Sequence, residues 1–138
     1  MFASGAWDLT IKIWDQDGKH IRTIAGHTDK VNSVAWNDDG TMLASGSWDK
    51  TIRILDTSDR DPKKWKLIKA ISGKEGHTST IYAVAWNHNG TMLASGSHDK
   101  TIKIWDQNGN HIETIAGKDG HAKAVFSVAF SPLLRTRK

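Results

Sequence analysis

The sequence predicts an all-β fold assembled from repeated units of four short antiparallel strands. Three observations predict it. A segment recurs: "GAWDLTIKIWD", "GSWDKTIRILD" and "GSHDKTIKIWD" carry Asp8, Asp49 and Asp99, which stand 41 and 50 residues apart, a period typical of repeat architectures. Tight-turn dipeptides, Asp39-Gly40 and Asn89-Gly90, punctuate the repeats and favour hairpins. Within the repeats Ile11 and Ile13 alternate with Lys12 and Trp14, the period of two of a strand. No stretch carries a helical pattern.

Taken in order, the first strands are "FASGA", "TIKIW" and, after the Gly18 turn, "HIRTIAG". A full set follows: "VNSVAW", "MLASGS", "TIRIL", and a displaced "KKWKLIKAISG" after an insert containing Pro62. The next set is "IYAVAW", "MLASGS", "TIKIW" and, after Gly109, "HIETIAG". "VFSVAF" is a further strand of the first type. Thr41–Ile52 and Thr91–Ile102 differ only at Trp48 against His98, which points to recent duplication or to design, the uneven repeat lengths arguing against an idealised design. Trp65 lies among Lys63, Lys64 and Lys66, where packing beneath the insert or a cation–π contact is expected.

The 138 residues are enough for one modest core. Hydrophobic residues make up 38% and charged residues 25%, which fits a globular chain and excludes a disordered one. There is no cysteine, so disulfides, cysteine nucleophiles and cysteine metal sites are excluded, and a reducing cytoplasmic setting is expected. No apolar run reaches the roughly 20 residues of a membrane helix, no membrane partner is expected, and no signal peptide is apparent. The net charge of +4 gathers in residues 60–74 and in Arg135, Arg137 and Lys138, without a basic stripe.

Gly26-His27, Gly76-His77 and Gly120-His121, the aspartate turns, and Trp14-Asp15 and Trp105-Asp106 together resemble the WD-repeat (WD40) β-propeller family. The resemblance runs from Phe2 to about Pro132; Leu55-Asp56 departs from the Trp-Asp pattern. It implies four-stranded antiparallel blades, with strands a to d following each Gly-His pair. The chain then reads as a single three-blade segment in offset register: strands b-c-d over 2–26, blades over 27–76 and 77–120, strand a over 121–132, and a tail over 133–138. A ring of three would demand about 120° between blades, whereas propellers have roughly 4–8. Completion by homo-oligomerisation is therefore expected, as a dimer of six blades or a trimer of nine. The trimer is preferred, because the wider ring relieves crowding of Trp36, Trp86 and Phe130.

His27, Ser45 and Asp49 recur as His77, Ser95 and Asp99. A third set, His121 with Ser4 and Asp8, would be split between two chains. These residue types also make hydrolase triads, but near-copies in so small a chain argue against catalysis, and the expectation is no enzyme. The resemblance implies a buried hydrogen-bond network instead, completed by Trp14 and Trp105 and one bond short at Leu55. It also implies a partner-binding rim holding Trp7, Trp48 and His98, with Lys30, Asn32, Thr80, Tyr82, Ala124 and Phe126 nearby. Exposed aromatics are common anchors of protein or peptide partners. None of the seven histidines pairs at metal-site spacing, and no phosphate-binding glycine motif occurs, so neither metal nor cofactor is expected. The function expected is a non-catalytic binding and assembly scaffold. The alternatives are a nascent or truncated propeller without a selected ligand, and a polyanion- or nucleic-acid-binding module, which the scattered acidic residues disfavour.

Overall fold

The structure, a computed structural model, describes residues 1–131. Eleven strands form three antiparallel sheets. The first holds β1 (Phe2–Gly5), β2 (Ile11–Trp14) and β3 (His20–Ile24). The second holds β4 (Val31–Trp36), β5 (Met42–Ser47), β6 (Ile52–Asp56) and β7 (Lys66–Ile71). The third holds β8 (Ile81–Trp86), β9 (Met92–Ser97), β10 (Ile102–Asp106) and β11 (His111–Ile115). The helical structure described is two short 3-10 turns, at Pro62–Lys64 and Gly117–Asp119. These sheets are the expected blades.

Local chemistry explains the spacing. Gly40 and Gly90 take positive φ in the hairpins between the first and second strands of each complete blade, a region closed to most side chains. Leu9, Lys50 and Lys100 also sit in the left-handed region, at φ 77°, 73° and 75°. Each follows a turn aspartate that accepts hydrogen bonds from the threonine two residues on, as Asp49 Oδ1 does from Thr51 N at 2.8 Å and Thr51 Oγ1 at 2.6 Å. Such aspartate turns hold a backbone reversal without glycine.

The core lies between sheets. One apolar cluster joins the second sheet to the third, with Ile52, Ile54, Ile81, Leu93 and Trp105. Another joins the first to the second, with Ile11, Ile13, Val31, Leu43 and Trp65. Close approach depends on glycine. A Cβ on Gly46 would lie 2.6 Å from Ile81, and one on Gly5 2.6 Å from Val31. The next contact repeats the pattern, with a Cβ on Gly96 falling 2.8 Å from Val125.

One expectation is corrected. Residues 121–131 form no strand, although strand a was expected over 121–132. The segment is seated on β9: Val125 is buried and its N–H donates to the Ser97 carbonyl at 2.8 Å. Beyond that one bond it has no ladder partner among the described residues, and an extended segment becomes a strand only within a ladder. Pro132 and the tail over 133–138 lie outside the described residues.

Candidate functional site

Two features stand out: the buried networks inside the blades and an aromatic rim.

In the second sheet, His27 Nδ1 lies 2.7 Å from Asp49 Oδ2 and its Nε2 lies 2.7 Å from Ser45 Oγ. In the third, His77 repeats this with Asp99 at 2.9 Å and Ser95 at 2.7 Å. There Trp105 Nε1 donates to Ser95 Oγ at 3.0 Å, so the serine hydroxyl is left to donate to the imidazole. Leu55 offers the second sheet no such donor. Trp65, carried in by the insert, shares the core cluster with Leu55 and stacks edge-on to Trp36 at 5.7 Å. Its indole N–H donates to the Asp59 carbonyl at 2.8 Å, not to the serine. The second sheet thus gains a buried indole in its core without the hydrogen bond to Ser45.

Burial pushes His27 and His77 below the ordinary histidine range, and the facing aspartates only partly offset it. Burial alone would raise Asp49 and Asp99, but hydrogen bonds from Thr51 or Thr101 and from the histidine outweigh it and hold both low. Each pair is therefore a neutral imidazole donating to a carboxylate at neutral pH. The distances are those of a hydrolase triad, but Ser45 is 1% exposed and Ser95 fully buried. Neither is among the residues lining the surface clefts that hold Asp56 and Lys66, Asn37 and Asn89, Met1 and Gly40, and Ala94 and Phe130.

The third set is divided. Trp14 Nε1 donates to Ser4 Oγ at 2.9 Å, and Thr10 holds Asp8 Oδ1 at 2.6 Å. The Thr10 hydroxyl and N–H keep the Asp8 carboxyl below its usual value. His121 is exposed and does not reach them.

At the rim, Lys30 Nζ lies 4.6 Å from the Trp7 ring and 4.1 Å from the Trp48 ring, and the two indoles are 6.2 Å apart. Trp7 is 68% exposed. A second cluster forms round Tyr82, whose hydroxyl lies 3.2 Å from His98 Nδ1 and whose ring is 4.5 Å from Phe126. Asn32 is engaged elsewhere, donating to the Ile81 carbonyl at 3.1 Å across the inter-sheet joint. Asn32 and Tyr82 sit at bulges between Val31 and Ser33 and between Ile81 and Ala83, which turn a side chain away from the ladder.

Sequence reasoning missed several participants. Ser47 and Ser97 donate to the Lys30 and Thr80 carbonyls at 2.8 Å, tying strand b to the start of strand a. Trp86 Nε1 donates to the Ala35 carbonyl at 3.0 Å across the joint. The exact repetition of Ser47 and Thr51 as Ser97 and Thr101 was the available signal.

The profile of the family described as "WD domain, G-beta repeat" matches residues 1–15, 18–56 and 66–106. The chain belongs to the WD40 family. It is similar to rat coronin-7, 46% identical over 44 residues, covering 31% of this chain and 5% of that protein. It is also similar to the ribosome biogenesis protein WDR12 homolog of Drosophila erecta, 48% identical over 33 residues, or 24% of this chain and 8% of that one. The nuclear distribution protein PAC1-1 of Uncinocarpus reesii is 31% identical over 71 residues, or 51% of this chain and 15% of its own length. The chain thus spans a small part of these WD40 relatives. Among the described residues, no His, Cys, Asp and Glu group of three or more could hold a metal ion, and no helix is long and apolar enough to cross a membrane.

Proposed function

We propose that this WD40 chain is a non-catalytic binding and assembly scaffold whose propeller is completed by strand pairing between copies. WD40 repeats imply a protein-interaction scaffold, and the burial of the Ser-His-Asp sets supports a structural role for them. The observation that carries the assembly is a pair of open edges. Among the described residues, β1 pairs with β2 on one side and with no strand on the other, while the segment around Val125 is seated on β9 without a ladder partner. Open edges are templates for pairing. In the two complete sheets strand a lies beside strand b, as β4 beside β5 and β8 beside β9; β1 holds the strand b position of its repeat, and 125–130 the strand a position, where pairing would make it a strand. Head-to-tail pairing with closure gives a cyclic assembly, with a trimer of nine blades preferred over a dimer of six. The rim clusters then recur around the ring and offer a protein or peptide partner repeated aromatic anchors. A cytoplasmic setting belongs to the same proposal.

Absolute molar mass by light scattering on a sizing column tests the reading against the 15.3 kDa chain. Two or three chains in the particle support it. A folded monomer at every concentration overturns it.

A further inference from the structure

We infer that the joint between copies is pre-built in this chain: residues 125–130 of a second copy lie along β1 in one register, held by Trp36 and by the Asp8–Ser4 pair. This rests on the assembly reading and specifies its contacts.

The first observation is an orphaned donor. Among the described residues, Trp36 Nε1 is the buried side-chain polar atom with no hydrogen-bond partner. A buried donor without an acceptor is costly and calls for an explanation. Its counterpart explains what is missing. Trp86, at the same place in β8, gives its indole N–H to the Ala35 carbonyl, on strand a of the preceding sheet. The sheet preceding Trp36 has no strand a. Ala35 aligns with Ala85 and Ala129 in "VNSVAW", "IYAVAW" and "VFSVAF", so the absent acceptor corresponds to the Ala129 carbonyl.

A second bond follows the same rule. Val84 N–H donates to Ser33 Oγ at 3.1 Å across the joint. The matching donor is Val34 N–H, and the residue matching Ser33 is Ser127. The hydroxyl is present where the second copy would need it; Ala83 stands at that position in β8.

The third observation is the divided network. Thr10 fixes Asp8 Oδ1 as Thr51 fixes Asp49 Oδ1, and Trp14 has already engaged Ser4. In the complete sheet the imidazole of His27 bridges Asp49 Oδ2 and Ser45 Oγ. The equivalent place between Asp8 Oδ2 and Ser4 Oγ takes no imidazole from this chain, and His121 lies exposed elsewhere. Finally, Phe126 is 66% exposed on one edge and Trp7 68% on the other. In the complete third sheet Tyr82 and His98, at these two positions, pair at 6.0 Å.

A second copy can supply this occupant, because the acceptor, the hydroxyl and the imidazole all recur in this chain at matching positions. The register follows from Ala35 opposite Ala44 and Trp36 opposite Leu43: Ala129 of one copy faces Ala3 of the next, and Phe130 faces Phe2.

The chain has no cysteine, so an Ala3→Cys/Ala129→Cys variant of the full chain reports that register by oxidation alone. Covalent species of two or three chains are expected, with little cross-linking in Ala3→Cys/Ser127→Cys. Trp36→Phe and His121→Ala should each weaken self-association about tenfold, the loss of roughly one buried hydrogen bond. Trp86→Phe, the same change inside one chain, should lower the melting temperature and leave association unchanged. An oligomer that forms no Ala3–Ala129 cross-link and ignores Trp36→Phe overturns the joint while leaving assembly standing. A wild-type chain that is monomeric throughout overturns both.

Discussion

The two complete blades are nearly the same text folded twice, and they differ where the text differs. In the third sheet Trp105 fills the core and completes the Ser95–His77–Asp99 network. In the second, Leu55 brings no donor, Trp65 arrives from the insert to share that core, and Ser45 keeps only its histidine. Packing and hydrogen bonding are therefore separable duties of one side chain. An aromatic reaching in from another element joins the core, as Trp65 does, whereas one anchored on the adjacent strand, as Trp105 is, aims its N–H at the serine.

Replacing the borrowed aromatic breaks this comparison most severely. Trp65→Ala should cost about 3–5 kcal/mol, the usual loss for emptying a buried aromatic site, as read by denaturant unfolding. Leu55→Trp in that background should recover much of it, whereas Leu55→Trp alone should destabilise by overpacking. If the double variant is no better than Trp65→Ala, the two side chains do not share the site.

Next comes Asp99→Ala, with Asp49→Ala as its pair. Each strips a buried histidine of its acceptor and frees a threonine, a loss of about 2–3 kcal/mol for an unsatisfied buried donor and its neighbours. Thermal melts should place the two variants close together, because the aspartate contacts are alike in both blades. An unchanged melting temperature would remove the structural role assigned to the networks.

Acid should act on both blades at once. His27 and His77 titrate lower in the folded chain than the ordinary value of 6.5. The unfolded chain therefore takes up protons first. Stability is complete above about pH 6.5 and declines as pH falls from there towards the folded values. Asp49 and Asp99 extend the decline below their ordinary value of 3.8, since their folded carboxyls also titrate lower. In a His77→Gln variant the step beginning near pH 6.5 should shrink in a pH series of urea midpoints.

The smallest effect belongs to the rim. Lys30→Ala removes a cation shared by two exposed indoles, worth about 0.5–1 kcal/mol at such sites. Tryptophan fluorescence should shift more visibly than stability changes.

Much of this was legible in the sequence because it is locally encoded. Hairpin dipeptides, aspartate turns and alternating isoleucines specify strands over a few residues, and the Gly-His and Trp-Asp markers locate the network within each repeat. The bond missing at Leu55 could be read for the same reason: leucine has no donor. Residues 121–131 were less legible. Their text matches β4 and β8, yet a strand needs a neighbour, and a residue pattern does not state whether one is within reach.

The sequence by itself determined the repeat, the blade class, the turns and the members of the His27 and His77 sets, since these follow from side-chain chemistry at short range. Only the tertiary structure decided that Trp65 joins the core cluster containing Leu55, that Trp86 crosses a joint to the Ala35 carbonyl while Trp36 finds no acceptor, and that Lys30 lies between two tryptophans. The last two depend on how two stacked sheets are offset, a matter of a few ångströms between residues of different repeats, set by glycines that let the faces approach.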